Sequence, residues 1–287
     1  MSRTHTMRPP CSPRLGLTLI ELVVVIAILA VLAVAIIPKL DGVTSQAGSA
    51  SDAAILADIN SAVSTFESRS NGSYPNASDG LLTSSSSGTF YNRFHPNIQI
   101  QGVTATLDAM KPILYPVTLT ETQVKSLSSV GITAAHYNTD ATGNATGLAS
   151  DSGTAYGGFS TGSTVAGLFI PLGGFGNTPT TPPWTSHGST FPDRAFNLNP
   201  FNYGKTDTFV VFGLGQPGTL RGKGIHDSPI FQSANPSLYY ARAFMVFRIP
   251  GPSVTTVFPA KYVGSFAPDG GSINDNVRDF SASASTY

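Results

Sequence analysis

Gly16 to Pro38 reads GLTLIELVVVIAILAVLAVAIIP, and this stretch decides the topology of the chain. Leu17 to Ile37 is a 21-residue run of Leu, Ile, Val and Ala, broken only by Thr18 and Glu21. At about 1.5 Å per residue, a helix of that length spans roughly 31 Å. The hydrocarbon core of a bilayer is about as thick. Inside lipid every backbone N–H and C=O must be satisfied within the segment, so an open chain crosses only as a helix. Arg3, Arg8 and Arg14 precede the run, and no acid does. Such a flank holds the N-terminus in the cytoplasm and puts everything after Lys39 on the far side.

A secretory signal peptide is the competing reading, with Ala33-Val34-Ala35 as its small-x-small cleavage site. Its apolar region should be shorter, and it should not carry an acid. Glu21 is that acid. A carboxylate in an apolar span costs several kcal/mol unless it is paired, so it marks function by default. If the chain is cut before Leu17, Glu21 becomes the fifth residue. It then lies one turn from a free α-amine, at the positive end of the helix dipole.

Gly16, Leu17-Thr18-Leu19-Ile20-Glu21 and the aliphatic run to Pro38 resemble the class III signal of type IV prepilins and type II secretion pseudopilins. The resemblance implies cleavage between Gly16 and Leu17 by a prepilin peptidase and N-methylation of Leu17. It implies that Glu21 pairs with the N-terminal amine of a neighbouring subunit during assembly. Pro38 matches the family's proline, where the helix bends or loosens; proline lacks the N–H and clashes one turn back. Leu17 stands where the family usually has Phe. The partners implied are the peptidase, copies of this chain and other pilin-like subunits, an inner-membrane assembly platform, and lipid before assembly. The implied location is the cytoplasmic (inner) membrane, single-pass, with the head extracytoplasmic and in a filament after assembly.

Downstream, Ala57 to Glu67 followed by Asn71-Gly72-Ser73-Tyr74-Pro75 is similar to the end of the spine helix in major pseudopilins. Ile55, Ile59, Ala62, Val63 and Phe66 fall at 3.6-residue spacing and predict one apolar stripe. Asn71-Gly72 stops the helix and Pro75 prevents its resumption. Lys39 to Ala50 carries Gly42 and Gly48, so the helix is expected to be loosest there.

The whole chain is only 11% charged, and the part after the helix is rich in Gly, Pro, Ser and Thr. Asn76–Gly88 and the Gly/Ser/Thr/Asn tract Asn138–Ser163 read as irregular. Ile98–Leu107, Thr164–Leu172, Thr206–Leu214, Tyr239–Ile249 and Val254–Phe266 read as strands. Thr120 and Gln123 form a capping box for a short helix that Gly131 ends. The fold class is therefore α+β and pilin-like, with a long N-terminal helix on a mainly antiparallel sheet. The divisions are a cleaved leader 1–16, a transmembrane or filament-core helix 17–37, an amphipathic continuation 38–70, and a β-rich head 71–287.

Composition narrows the function. The only cysteine, Cys11, lies in the leader, so the head has no disulfide. Removing Arg3, Arg8 and Arg14 leaves 13 basic against 16 acidic side chains, a net charge of −3. No basic cluster stands in the head, which argues against nucleic acid as a partner. Gly158-Phe159-Ser160-Thr161-Gly162 matches G-x-S-x-G without the strand-to-helix flanks of a nucleophile elbow. Gly213-Leu214-Gly215-Gln216-Pro217-Gly218 matches G-x-G-x-x-G, but Pro217 and the glycines after it forbid the helix a dinucleotide site needs. His5, His95, His136, His187 and His226 show no ligand spacing. The expectation is no catalytic residue and no organic cofactor.

The segment Gly264–Gly271 with Asn274-Asp275-Asn276 and Asp279 resembles the C-terminal calcium loop of major pseudopilins. Asp269, Asp275 and Asp279 could supply hard oxygens to calcium; a solvated acidic tail is the competing reading. The sequence thus points to a structural filament subunit. A membrane-anchored extracytoplasmic binding protein or enzyme that does not polymerise is the alternative.

Overall fold

The computed structural model describes residues 19–90, 93–100, 112–138, 154–169, 207–215, 218–231, 234–236 and 238–271. Helix α1 covers Leu19–Arg69 and is continuous through Pro38, Gly42 and Gly48. It includes Lys39–Ala50, the stretch expected to be loosest. The chain divides at Ser45, inside this helix, into two units. Each is described by itself.

In the second unit, α1 buries Leu56, Ile59, Ala62, Val63 and Phe66. Leu56 rather than the expected Ile55 leads the stripe; Ile55 packs against it only in part. The helix ends where the sequence says it must. Asn71 takes φ 54° and Gly72 φ 82°. The Gly72 N–H donates to the Glu67 carbonyl at 2.9 Å, the six-to-one bond of a Schellman cap.

Among the described residues a nine-stranded sheet follows. Its strands are β1 (Ser78–Asp79), β2 (Gln99–Ile100), β3 (Ile113–Thr118), β4 (Ala134–Asn138), β5 (Thr154–Gly158), β6 (Thr164–Phe169), β7 (Asp207–Gly213), β8 (Phe244–Pro250) and β9 (Lys261–Phe266). The order is β2-β3-β6-β7-β1-β4-β5, with β8 on β7 and β9 on β8. β1–β4 and β2–β3 are parallel, and every other pair is antiparallel. The head is a mixed, mostly antiparallel sheet, and the chain is α+β in that sense. β7 is the hub, bonded along its length to β8 (Asp207↔Pro250 to Gly213↔Phe244), to β6 at Val210 and Val211, and to β1 at Gly213. β3 tolerates Pro116 because β2 reaches only Ile113 and Leu114, so the missing N–H falls where the strand is an edge among the described residues.

Four expectations need correction. The segment Asn76–Gly88, expected to be irregular, contains β1, which pairs with β4 and β7 far along the chain. The tract Asn138–Ser163 is not irregular throughout: β5 lies in it and pairs residue by residue with β4. The reason is the Tyr137 ring. A Cβ on Gly157 would come within 2.9 Å of it, and one on Gly80 within 2.7 Å, so the glycines make room for a buried tyrosine. The strand expected at Tyr239 begins at Phe244, because Tyr240 and Ala241 bond instead to Arg93 and Phe231. The strand expected at Val254 begins at Lys261; Val254 closes a turn on Gly251, and the Ala260 N–H donates to the Ser126 carbonyl. Of the strand expected over Ile98–Leu107, β2 is the part within the described residues. Helix α2 (Glu121–Ser129) has the predicted box, with Gln123 N–H donating to Thr120 Oγ1 and Thr120 N–H to Gln123 Oε1. Gly131 at φ 84° closes its other end, where the N–H groups of Gly131 and Ile132 donate to Ser128 and Leu127.

Candidate functional site

The first turn of α1 carries Glu21 as its acid, at the end where unpaired N–H groups favour negative charge. Around it the apolar side chains from Leu19 to Leu32 are exposed on every side, from 46% at Val25 to 81% at Leu19. A helix that is apolar all round belongs in lipid or among other helices, since water would meet every face. Val, Ile and Leu fill this surface with no polar stripe, so no single flank of a globular domain would cover it. Among the described residues no helix is long and apolar enough to cross a membrane. The described side chains of the run stop at Leu32, short of such a length.

Gly16 and Leu17 lie outside the described residues. Pro38 lies within α1. Of the three aspartates, Asp269 is described, and its Oδ1 accepts the Gly271 N–H at 3.1 Å. Asp275 and Asp279 lie outside. Among the described residues no group of three His, Cys, Asp or Glu side chains could hold a metal ion.

The two enzyme-like patterns take definite shapes. Ser160 sits in a turn between β5 and β6, with its N–H donating to Ser163 Oγ at 3.0 Å. A strand follows it rather than the helix of an elbow. Gly213 and Gly215 flank a buried pair in which the Tyr240 hydroxyl donates to Asp79 Oδ2 at 2.8 Å. A Cβ on Gly213 would strike the Tyr240 hydroxyl, and one on Gly215 the Asp79 carboxylate. These glycines are clearance for a packed pair. Behind them Arg242 is buried and donates from Nη1 to the Ser228 carbonyl at 3.0 Å. The sequence reading missed this group. A signal existed in Ala77 and Leu81, which take φ 58° and 62° around β1, but only a backbone shows it.

A second polar group ties α1 to the sheet. The Tyr74 hydroxyl donates to Glu67 Oε1 at 2.9 Å, and the Tyr262 hydroxyl bonds Asn60 and Ser265. The Tyr74 ring packs on Phe247 and Tyr262. Burial chiefly, with the Glu67 carboxylate adding to it, pushes the Tyr74 hydroxyl up to about 12. Burial also raises the Tyr262 hydroxyl.

Residues 11–37 match the prokaryotic N-terminal methylation motif. That motif is the class III signal of type IV pilins and pseudopilins, and the chain carries it. It marks a pilin-like or pseudopilin precursor in the general sense, with an N-terminal signal anchored in the membrane. It implies processing by a prepilin peptidase and assembly with other pilin-like subunits. The family known for this motif is one of structural pilin-like subunits. Comparison with curated proteins and with solved structures gives no match.

Proposed function

We propose that this chain is a structural subunit of a type IV pilus-like or type II secretion pseudopilus filament. The peptidase cuts between Gly16 and Leu17 and methylates Leu17. The helix 17–37 holds the precursor in the cytoplasmic (inner) membrane with the head outside, then passes into the filament core. Glu21 pairs with a neighbour's N-terminal amine and sets register, because either charge left alone in that core would be costly. Pro38 loosens the helix between core and head, and the head decorates the filament surface. The partners are further copies of this chain or related subunits, and the inner-membrane platform that extrudes them.

One observation carries this reading: an apolar helix exposed on all faces, with one carboxylate in its first turn, inside the methylation motif. The N-terminal mass of protein purified from its own membranes tests it. A chain beginning at N-methyl-Leu17, and only when the peptidase is present, is the expected result. A chain beginning at Met1 or Ile36 would overturn the reading and favour an anchored protein that does not polymerise. Calcium on Asp269, Asp275 and Asp279 is a separate proposal resting on resemblance alone; a melting temperature unmoved by calcium or chelator would remove it.

A further inference from the structure

We infer that Asn71 is a site of spontaneous covalent modification, gated by the C-terminal cap of α1. Asn71-Gly72 is the one Asn-Gly pair in the chain. Both residues are exposed. The Asn71 side chain makes no hydrogen bond among the described residues, and a Cβ on Gly72 would meet nothing within 4 Å. Nothing there crowds a ring closing on the side of Gly72, and glycine itself offers the least hindrance to its own nitrogen.

The chemistry balances without an added reagent beyond water. The Gly72 backbone nitrogen attacks Asn71 Cγ, forming a C–N bond. The side-chain nitrogen leaves as ammonia, carrying away the Gly72 proton. Water then opens the five-membered imide at either carbonyl. One opening gives aspartate. The other gives isoaspartate, with the main chain rerouted through the side-chain carbon.

The fold controls the first step. In the capped helix the Gly72 N–H is committed to the Glu67 carbonyl at 2.9 Å. Attack therefore waits for the last turn to open, and terminal turns open at free energies near zero. Asn76 supplies the contrast five residues on. Its Oδ1 accepts from Thr133 and Ala134 N–H, its Nδ2 donates to Thr133 Oγ1, and Ala77 follows it. That amide is held on both sides and stays intact. Either product puts a carboxylate at the C-terminal, negative end of α1, where it is disfavoured. The change is one-way, so its extent records the age of a subunit.

The test uses the full chain purified from membranes in detergent and held at neutral pH. Peptide mapping with fragmentation that separates aspartate from isoaspartate reads residues 71 and 76. A synthetic peptide covering 66–75 runs alongside. The expected result is conversion at Asn71, within about tenfold of the peptide's rate because the cap frays readily, and none at Asn76. Gly72→Ala should slow conversion in both peptide and protein. The peptide keeps that comparison clean if the cap itself is disturbed. Tyr74→Phe removes the hydrogen bond that pins the Glu67 side chain, which loosens the last turn, and should speed conversion in the protein only. No conversion at Asn71 while the peptide converts fully, or conversion indifferent to both variants, overturns the inference.

Discussion

The two units of this chain are built from the same aliphatic residues and use them in opposite ways. From Leu19 to Leu32 they stand exposed on one helix. From Leu56 onward most of the described ones are buried, with Leu56, Val63, Leu114, Val210 and Ile249 fully covered. The second unit closes because a stripe of α1 and the strands of the sheet bury their apolar positions on one another. The first has no polar face, so nothing within itself can satisfy it. Under the proposed function its cover is lipid first and neighbouring helices second.

The sharpest way to break the comparison is at the exposed unit. Glu21→Ala should leave cleavage at Gly16 intact and remove the protein from sheared filaments, since the neighbour's amine then lacks its partner. Immunoblotting of filament and membrane fractions checks this; normal incorporation would end the assigned role of Glu21. The head should be unaffected, with an unchanged melting temperature.

Within the buried unit, Leu56→Ala should destabilise the head by about 2–5 kcal/mol through lost burial and a residual cavity. Denaturant melting measures it. A smaller loss would mean that the stripe of α1 is not part of the cooperative core. Tyr240→Phe should cost about 1–3 kcal/mol, because it takes a hydroxyl donor from the buried Asp79 carboxylate. Thr120→Ala should cost about 1 kcal/mol through the lost N-cap of α2.

Alkali offers a test across the whole head. Tyr74 and Tyr115 ionise at about 12 in the fold, both chiefly because of burial, against an ordinary value of 10. Burial pushes Tyr137 and Tyr262 up as well. Their pKa values are raised, so the stability they contribute is complete below pH 10. Between pH 10 and about 12 the unfolded chain releases protons that the folded head keeps, and stability falls as pH rises. Tyrosinate absorbance and melting temperature followed together should show this window; a head whose melting is flat through it would mean these hydroxyls reach water.

Much of this was legible before any coordinates. The apolar run, the Asn71-Gly72 stop, the Thr120–Gln123 box and the hydrophobic strands at Thr164 and Thr206 are local signals, each with its cause a few residues away. What stayed hidden has its cause far off in sequence. β5 reads as a Gly-rich loop until Tyr137 is seen lying over Gly157. The glycines at 213 and 215 imitate a phosphate loop until Asp79 and Tyr240 occupy the space beside them. Leu56 and Ile55 are equal candidates on a helical wheel, and the sheet they meet decides between them.

The place of β7 at the hub also sets an order of events. β1, near the start of the head, hydrogen-bonds to β7, and Asp79 finds Tyr240 161 residues later. Tyr262 reaches back 202 residues to Asn60. A ribosome therefore passes Asp207 before β1 gains its second partner strand. Under the proposed function an unfinished head presents no folded obstacle to export, and the sheet closes only after β9 (Lys261–Phe266) has arrived. A chain that stops short of β7 leaves β1 with β4 alone and the sheet without its hub, so early termination yields an incomplete head rather than a smaller one.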